Sequence, residues 1–433
     1  MRILHFLPWH SPRTRGGTEV FLMQLAKLQQ SRGDEVSIIA PNDTRVAGHE
    51  QLDGLGVSFF PNPYGLTDTD RAAGPNKKEI QRLFVEMVDT ISPDVMHLHG
   101  IDYFLQSFFE PLAGRNDLRM VLTIHLVNVV CPNQTLRNET GQFCTRRVDF
   151  ATCSTCIGLQ RHRKQFTSLV DAITIPLNDF LVNRWGSRHI ADRIPYQKGV
   201  LQQTMLLDFL RNSVSVDVLS PWFYDVLMRN GFAPDRIGLR PNHFLRPDSF
   251  AAGPLRRLGA QRMKFLFVGR LSTDKGVGVV IEALKGVADL NGELEVTFLG
   301  KHLEPELVEA LHALRASGFK LAFPGEASPD DVERSLRDAH YLIFPSLSEE
   351  MAPLVIQEAL QNGVPVISSD TSSAAAFITD SVNGILFRRG EASDLTRAIR
   401  RVVERKSLMS FVVQSGPDID SVLYSYYQRL YTE

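Results

Sequence analysis

The residues best able to do chemistry gather in a few short stretches. PSLSEEMAPLVIQEALQNGVPVISSD (345–370) carries two carboxylates, Glu350 and Glu358, after the apolar run YLIF (341–344). Pro353 suits the first position of a helix, where its missing N–H would go unbonded anyway. Gly363 suits that helix's end, and VPVIS (364–368) reads as a buried strand. The spacing therefore predicts a strand–loop–helix–strand unit, with Glu350 in the loop and Glu358 in the helix's second turn. The free amides and positive dipole end of such a helix favour an anionic ligand such as a diphosphate. Two carboxylates beside a phosphate make electrostatic sense only if each has a hydroxyl to bind. A sugar nucleotide supplies both groups.

A second stretch, VGRLSTDKGVGVVIEAL (268–284), has the same strand–turn–helix character. Arg270 leaves the strand end and Lys275 stands at the helix start beside Gly276. Two cations there suit a diphosphate, arginine through its planar fork and lysine as a point charge. Near the N-terminus, RILHFLP (2–8) leads into HSPRTRGGTE (10–19) with Gly16 and Gly17, then into VFLMQLAKLQQSRG at helical spacing. Strand, glycine turn and helix open a nucleotide-binding α/β domain. The full G-x-G-x-x-G is missing, which disfavours a dinucleotide site. His97, His99 and His125 fall near the carboxyl ends of predicted strands, where ligands bind in parallel sheets. For each, a hydrogen-bonded structural histidine is an equal reading, and His125 is the strongest site candidate.

Elements must position these groups, and the chain offers them in alternation. EVSIIAP (35–41), VSFFP (57–61), PDVMHLHG (93–100), MVLTIH (120–125), VSVDVLS (214–220) and RIGLRPN (236–242) read as strands separated by helices. KFLFVG (264–269), LEVTFLG (294–300) and FKLAF (319–323) begin a second such series. Strands alternating with helices indicate parallel sheets covered on both faces. The 433 residues suffice for two domains. The expected division is a first domain over 1–245 with a cysteine-bearing insert at 126–156, a Pro/Gly/Ala linker at 246–262, a second domain over 263–416 and a terminal helix within 417–433. The net charge of −2 gives no case for nucleic acid. No apolar run approaches the ~20 residues that span a bilayer, so a cytoplasmic address is expected. The basic segment IGLQRHRKQF (157–166) reads as a solvated helix face or as a peripheral contact with lipid headgroups.

All four cysteines, Cys131, Cys144, Cys153 and Cys156, lie within the insert. Four thiolates can close a tetrahedral structural zinc site, although the first pair is spaced more widely than in a zinc ribbon. Disulfides and an iron–sulfur cluster are the alternatives. The strings Asp68-Thr-Asp70 and Asp418-Ile-Asp420 have a spacing that holds Mg²⁺ or Mn²⁺, but neither follows a buried strand at the expected site. No catalytic metal is expected.

Taken together, the glutamate pair with its seven intervening residues, GRLSTDKG, GGTE and TIH resemble the family 4 retaining glycosyltransferases of the GT-B fold. The resemblance spans nearly the whole chain. It implies an α/β protein of two Rossmann-like domains with parallel sheets facing across a cleft, the C-terminal helix packing back toward the first domain. It implies a retaining, metal-independent, hexosyltransferase-type enzyme that moves a sugar from a UDP- or GDP-linked donor to a hydroxyl on a glycan, a lipid-linked glycan or a small molecule.

By the same resemblance, Arg270 and Lys275 would hold the diphosphate, with Gly16 and Gly17 closing over it. Glu358 would bind the ribose and Glu350 the transferred sugar. The amides of Ala352, Leu354 and Val355 would approach phosphate or sugar, and His125 would stand near the anomeric centre or the sugar's primary hydroxyl. Two departures stand out. SSDTSSAAAF (368–377) lacks the family's glycine pair and glutamate, and the usual His-Asp is His125-Leu126 here. The alternatives are a sugar-nucleotide epimerase or hydrolase of the same fold and a non-catalytic nucleotide-sugar or glycan binding subunit.

Overall fold

The computed structural model describes residues 1–8, 16–42, 47–63, 77–162, 195–240, 250–252, 256–257, 262–302, 304–409, 411–413 and 419–432. The chain forms two compact units, Met1–Pro241 with Asp420–Glu433, and Asn242–Ile419.

The first unit is built on the strands β1 (Arg2–Phe6), β2 (Glu35–Asn42), β3 (Gly48–Leu52), β4 (Leu55–Pro61), β5 (Val95–Leu98), β6 (Arg119–Ile124), β7 (Ser215–Val218) and β8 (Ile237–Leu239). Their order across the sheet is β3-β4-β2-β1-β5-β6-β7-β8. Every pair is parallel except β3 with β4. The parallel strands are the predicted apolar runs, and β5 is buried at every position because helices cover both faces. The hairpin strand β3, GHEQL, is polar and largely exposed, so its sequence carries no strand signal. The helices are α1 (Gly17–Ser31), α2 (Lys77–Ile91), α3 (Tyr103–Phe109), α4 (Phe150–His162), α5 (Pro195–Ser213) and α6 (Pro221–Arg229). The insert is less irregular than expected, since Cys153 and Cys156 stand on α4. Of the basic segment 157–166, residues beyond His162 lie outside the described ones, as do Asp68, Asp70 and Asp418. Asp420 is exposed.

The second unit begins with β9 (Phe250–Ala252) and β10 (Arg256–Arg257), inside the stretch read as a linker. Then come β11 (Met263–Val268), α7 (Val277–Lys285), β12 (Leu294–Leu299), α8 (Pro305–Ala316), β13 (Lys320–Gly325), α9 (Pro329–Asp338), β14 (Tyr341–Phe344), α10 (Leu354–Gln361), β15 (Val366–Ser369), β16 (Gly384–Phe387), α11 (Ala392–Arg405), β17 (Ser407–Leu408) and β18 (Phe411–Val413). A six-stranded parallel sheet runs β13-β12-β11-β14-β15-β16. β9 pairs with β18 and β10 with β17, both antiparallel. The stretches 246–262 and 406–416 thus meet each other as two short ladders, a pairing that periodicity within either stretch does not reveal.

The chain ends in α12 (Ile419–Thr432), which belongs to the first unit. Its aromatic stripe, at helical spacing, packs Leu423, Tyr426, Tyr427 and Tyr431 against Ile3, Phe21, Leu25, Val95 and Val121. Beneath that stripe lies a buried polar network. Asp217 of β7 is fully buried and accepts from the hydroxyls of Tyr426 (2.6 Å), Tyr427 (2.7 Å) and Thr123 (2.7 Å). His97 bridges Thr123 (2.7 Å) and Tyr431 (2.6 Å), and Tyr431 also meets Gln29 (3.0 Å). Gln29 bonds His5 (2.7 Å), His5 bonds His99 (2.9 Å), and His99 bonds His125 (3.2 Å). Burial first of all depresses these histidines, His5 to about 4, and His97 and His99 well below the ordinary range.

The sign of the pH dependence follows. An unfolded chain protonates these rings below about pH 6.5, whereas the native state keeps them neutral to much lower pH. Their contribution to stability is therefore complete above pH 6.5 and lost as pH falls below it. With three such rings the loss approaches about 4 kcal/mol per pH unit. Thermal melts between pH 7 and 5 are expected to show a steep drop in Tm, and His97→Gln is expected to make the drop shallower even where it lowers Tm at neutral pH.

Candidate active site

In the second unit the strand sequence reverses direction between β11 and β14, and ligands of open α/β sheets bind beyond the carboxyl ends of strands at such a point. β11 delivers Gly269 and Arg270 there, and β14 delivers Pro345 and Ser346. The two loops are stitched together. Gly276 has φ +76°, and a Cβ on it would stand 1.9 Å from the Pro345 carbonyl oxygen. Only glycine fits both the conformation and the approach. The Leu347 amide donates to the Asp274 carbonyl at 2.9 Å.

Across this seam Lys275 Nζ donates to Glu350 Oε1 at 2.5 Å, and Ser346 Oγ donates to the same oxygen at 3.0 Å. Ser369, at the end of β15, donates to the Ser346 carbonyl at 2.8 Å. Behind them Arg389 pairs with the buried Glu349 at 2.8 Å. Arg270 is more exposed and pairs with Asp274 at 3.1 Å, while Ser272 donates to the other oxygen of that carboxylate. Each cation thus has a carboxylate partner, which compensates its charge without burying it. Sequence reasoning assigned these cations to an anion and did not foresee their acidic partners; it also missed Ser346 and Ser369, whose types carry no distinctive signal.

Helix α10 starts at Leu354 with Pro353 as its extended N-cap residue, one place earlier in role than predicted. Ala352, Leu354 and Val355 are half-buried around this helix start. Glu358, one turn in, is half-buried, and burial raises its carboxyl above the ordinary range. Among the described residues its carboxylate has no partner. It contrasts with Glu350, which has two.

In the first unit, Gly16 is the extended N-cap of α1 and Gly17 its first residue, both exposed; most of the preceding turn lies outside the described residues. The Glu19 carboxylate folds back over Gly16, 2.3 Å from where a Cβ would stand. His125 follows β6. It lies edge-on to Phe21 of α1, with ring centroids 5.4 Å apart. Arg240 follows β8, is only 5% exposed, and stacks its guanidinium 4.5 Å from the Phe21 ring centroid. Burial, then the Arg240 charge, pushes His125 down to about 3, so its ring is neutral at working pH. Among the described residues, the buried Nη1 of Arg240 has no hydrogen-bond partner. Neither Arg240 nor Phe21 was singled out from sequence, although Arg240 lies within the predicted strand 236–242. His97 and His99 are fully buried in the network below rather than at the strand-end surface. Leu126, where the resemblance leads one to expect aspartate, is 49% exposed.

The four cysteines line one cavity of about 40 Å³, with Arg137 and Arg146 at its wall. All are free thiols. Burial pushes Cys153 up to about 12 and Cys156 up to about 11, helped by the neighbouring Cys131 and Cys144. Among the described residues only His5, His97 and His99 bring three ligand atoms within 4.8 Å of one another, so the sulfurs stand farther apart than bound ligands would.

Gly276→Ala is expected to break the seam between the two loops. The left-handed conformation alone costs about 1–2 kcal/mol in a non-glycine residue, and the Pro345 contact adds to it. Thermal denaturation is expected to register the loss, whereas Gly292→Ala, with open space around its Cβ position, should leave Tm nearly unchanged.

Residues 257–416 match the family model "Glycosyl transferases group 1", and residues 15–156 match "Glycosyltransferase Family 4". The amylovoran biosynthesis glycosyltransferase AmsK of Erwinia amylovora is 30% identical over 39% of this chain, a match that spans 40% of that protein. The phosphatidyl-myo-inositol mannosyltransferase of Mycobacterium leprae is 24% identical over 93% of this chain and 88% of its own length. Among solved structures, HepE of Anabaena in complex with UDP and glucose aligns with a TM-score of 0.56 at 15% identity, covering 100% of this chain and 95% of that one. Sucrose-phosphate synthase of Thermosynechococcus elongatus aligns with a TM-score of 0.59 at 15% identity, covering 100% and 97%. With both domains matched and the architecture shared, this chain belongs to the family 4-type glycosyltransferases of the GT-B fold.

Proposed function

We propose that the protein transfers a hexose from a UDP- or GDP-linked donor to a hydroxyl acceptor, with retention of anomeric configuration and without a catalytic metal. The observation that carries the reading is the seam at the switch point of the second unit. It sets the Lys275–Glu350 pair beside the start of α10 and the half-buried Glu358, which has no partner among the described residues. A bound diphosphate would take Lys275 and Arg270 together with the amides around Ala352, Leu354 and Val355. The displaced Glu350 would accept from hydroxyls of the sugar, and Glu358 from those of the ribose. The chemistry asked of these groups is electrostatic: a departing diphosphate needs fixed positive charge where its negative charge grows. By the family resemblance, Gly16 and Gly17 would close over the diphosphate, and His125, a neutral ring, would stand near the anomeric centre or the sugar's primary hydroxyl. Two relatives are named for amylovoran and phosphatidyl-myo-inositol, which supports a glycan or lipid-linked acceptor.

The test is a panel of radiolabelled UDP and GDP sugars offered with candidate glycan and lipid acceptors, with EDTA present. Transfer with the donor's anomeric configuration preserved is the expected result. Lys275→Ala is expected to cost 100- to 1000-fold in kcat, about 2.7–4 kcal/mol, the range for removing one preorganised charge-stabilising group. Turnover near that of the parent protein, in a variant whose melt shows it folded, would refute the donor-site assignment.

We also propose that Cys131, Cys144, Cys153 and Cys156 hold a structural zinc. Four thiols line one small cavity and would have to draw closer together to complete tetrahedral sulfur coordination, and zinc supplies the charge that deprotonates thiols burial keeps neutral. Elemental analysis of protein purified without added metal is expected to find about one zinc per chain. Iron in its place, or neither metal, would overturn the assignment.

A further inference from the structure

The polar network of the first unit has a direction, and the direction can be followed atom by atom. The Asp217 carboxylate only accepts, so Thr123 spends its single hydroxyl proton on it at 2.7 Å. Thr123 can then only accept from His97, which fixes the proton of His97 on Nε2. His97 Nδ1 is left as an acceptor and takes the proton of the Tyr431 hydroxyl at 2.6 Å. That hydroxyl in turn accepts from Gln29 Nε2 at 3.0 Å, which turns Gln29 Oε1 toward His5 Nε2 at 2.7 Å. His5 must donate from Nε2 and accept at Nδ1. His99 therefore donates from Nε2 to His5 at 2.9 Å and accepts at Nδ1. The last link, 3.2 Å, requires His125 to donate from Nε2.

A neutral ring carries one N–H, and all four histidines are held neutral by burial. We infer that the C-terminal helix, through Tyr431, sets the tautomer of His125, so that its free Nδ1 presents a lone pair and accepts a hydrogen bond from a ligand hydroxyl. Tyr431 is a positioning residue, acting on His125 through three intervening groups, Gln29, His5 and His99. The relay replaces what a neighbouring carboxylate would do, and the residue after His125 is a leucine. Reading the same cluster as a metal site is disfavoured, because both nitrogens of His5, His97 and His99 are already engaged. Among the described residues, Nδ1 of His125 has no partner.

The role of that lone pair toward a sugar hydroxyl rests on the proposed transfer reaction; the tautomer itself does not. The experiment is long-range ¹H–¹⁵N correlation NMR on the full chain labelled in its histidine rings, at neutral pH and without donor. Assignment comes from loss of the corresponding signals in His125→Gln. The expected pattern for His125 is a protonated Nε2 and an unprotonated Nδ1. A proton on Nδ1 in the parent protein would overturn the inference. Tyr431→Phe removes the hydroxyl that carries the direction across, and His125 is then expected to show shifts averaged between the two tautomers. Unchanged His125 shifts in a folded Tyr431→Phe protein would overturn the part assigned to the helix. Thr123→Val breaks the relay at another link and is expected to give the same averaging if Tyr431→Phe does not fold. Since no donor is present, failure of these measurements and failure of the transfer assay are separate results.

Discussion

A single buried carboxylate, Asp217, organises the first unit. It is fully enclosed and accepts three hydroxyl protons, one from its neighbouring strand and two from the terminal helix. Hydrogen bonds to a charged acceptor are roughly twice as strong as neutral ones, and in a buried setting each unsatisfied partner is costly. The helix is thereby held in one register on the sheet, where an apolar stripe alone would tolerate sliding. The same anion gives every later bond in the chain of rings its polarity. Packing and chemistry here share one cause.

The second unit solves a different problem, how to keep two loops from different strands in register without closing the space beyond them. Gly276 lets the backbone of one loop meet the Pro345 carbonyl of the other. The Lys275–Glu350 pair then spans the seam with both groups about one-fifth exposed. A pair so placed is cheap to open when a ligand supplies a better anion for the lysine, since neither charge has been fully taken out of water. Glu358, without a partner among the described residues, takes no part in holding the seam.

How much was legible in the sequence depended on how local the signal was. The places of Glu350, Glu358, Arg270 and Lys275 in the fold were readable because each sits at a fixed offset from a buried strand and a helix start. The two sheets followed from apolar runs of strand length. The partners of those residues were another matter. Lys275 and Glu350 are 75 residues apart, and Gln29 and Tyr431 are 402 apart; no period or propensity connects them. His97 and His99 looked like strand-end residues and are in fact buried links, because a strand's alternation does not say how deep a polar position lies. The ladders β9–β18 and β10–β17 escaped notice for the same reason. The boundary residue Pro353 was misplaced by one position, which is ordinary for a helix end.

The return of α12 to the first unit also constrains the order in which the chain can be completed. Domains usually fold as they emerge, N-terminal first. Here the first unit emerges without the tyrosines that Asp217 requires, and the whole of Asn242–Ile419 must be made before Tyr426, Tyr427 and Tyr431 exist. Until then a buried carboxylate and a string of buried rings stand short of donors, and the apolar face of the sheet around Ile3, Val95 and Val121 is uncovered. The bonds that Tyr426 and Tyr427 give to Asp217 form only after Asn242–Ile419 has been made, so the network around His125 is completed later than the sheet that carries it.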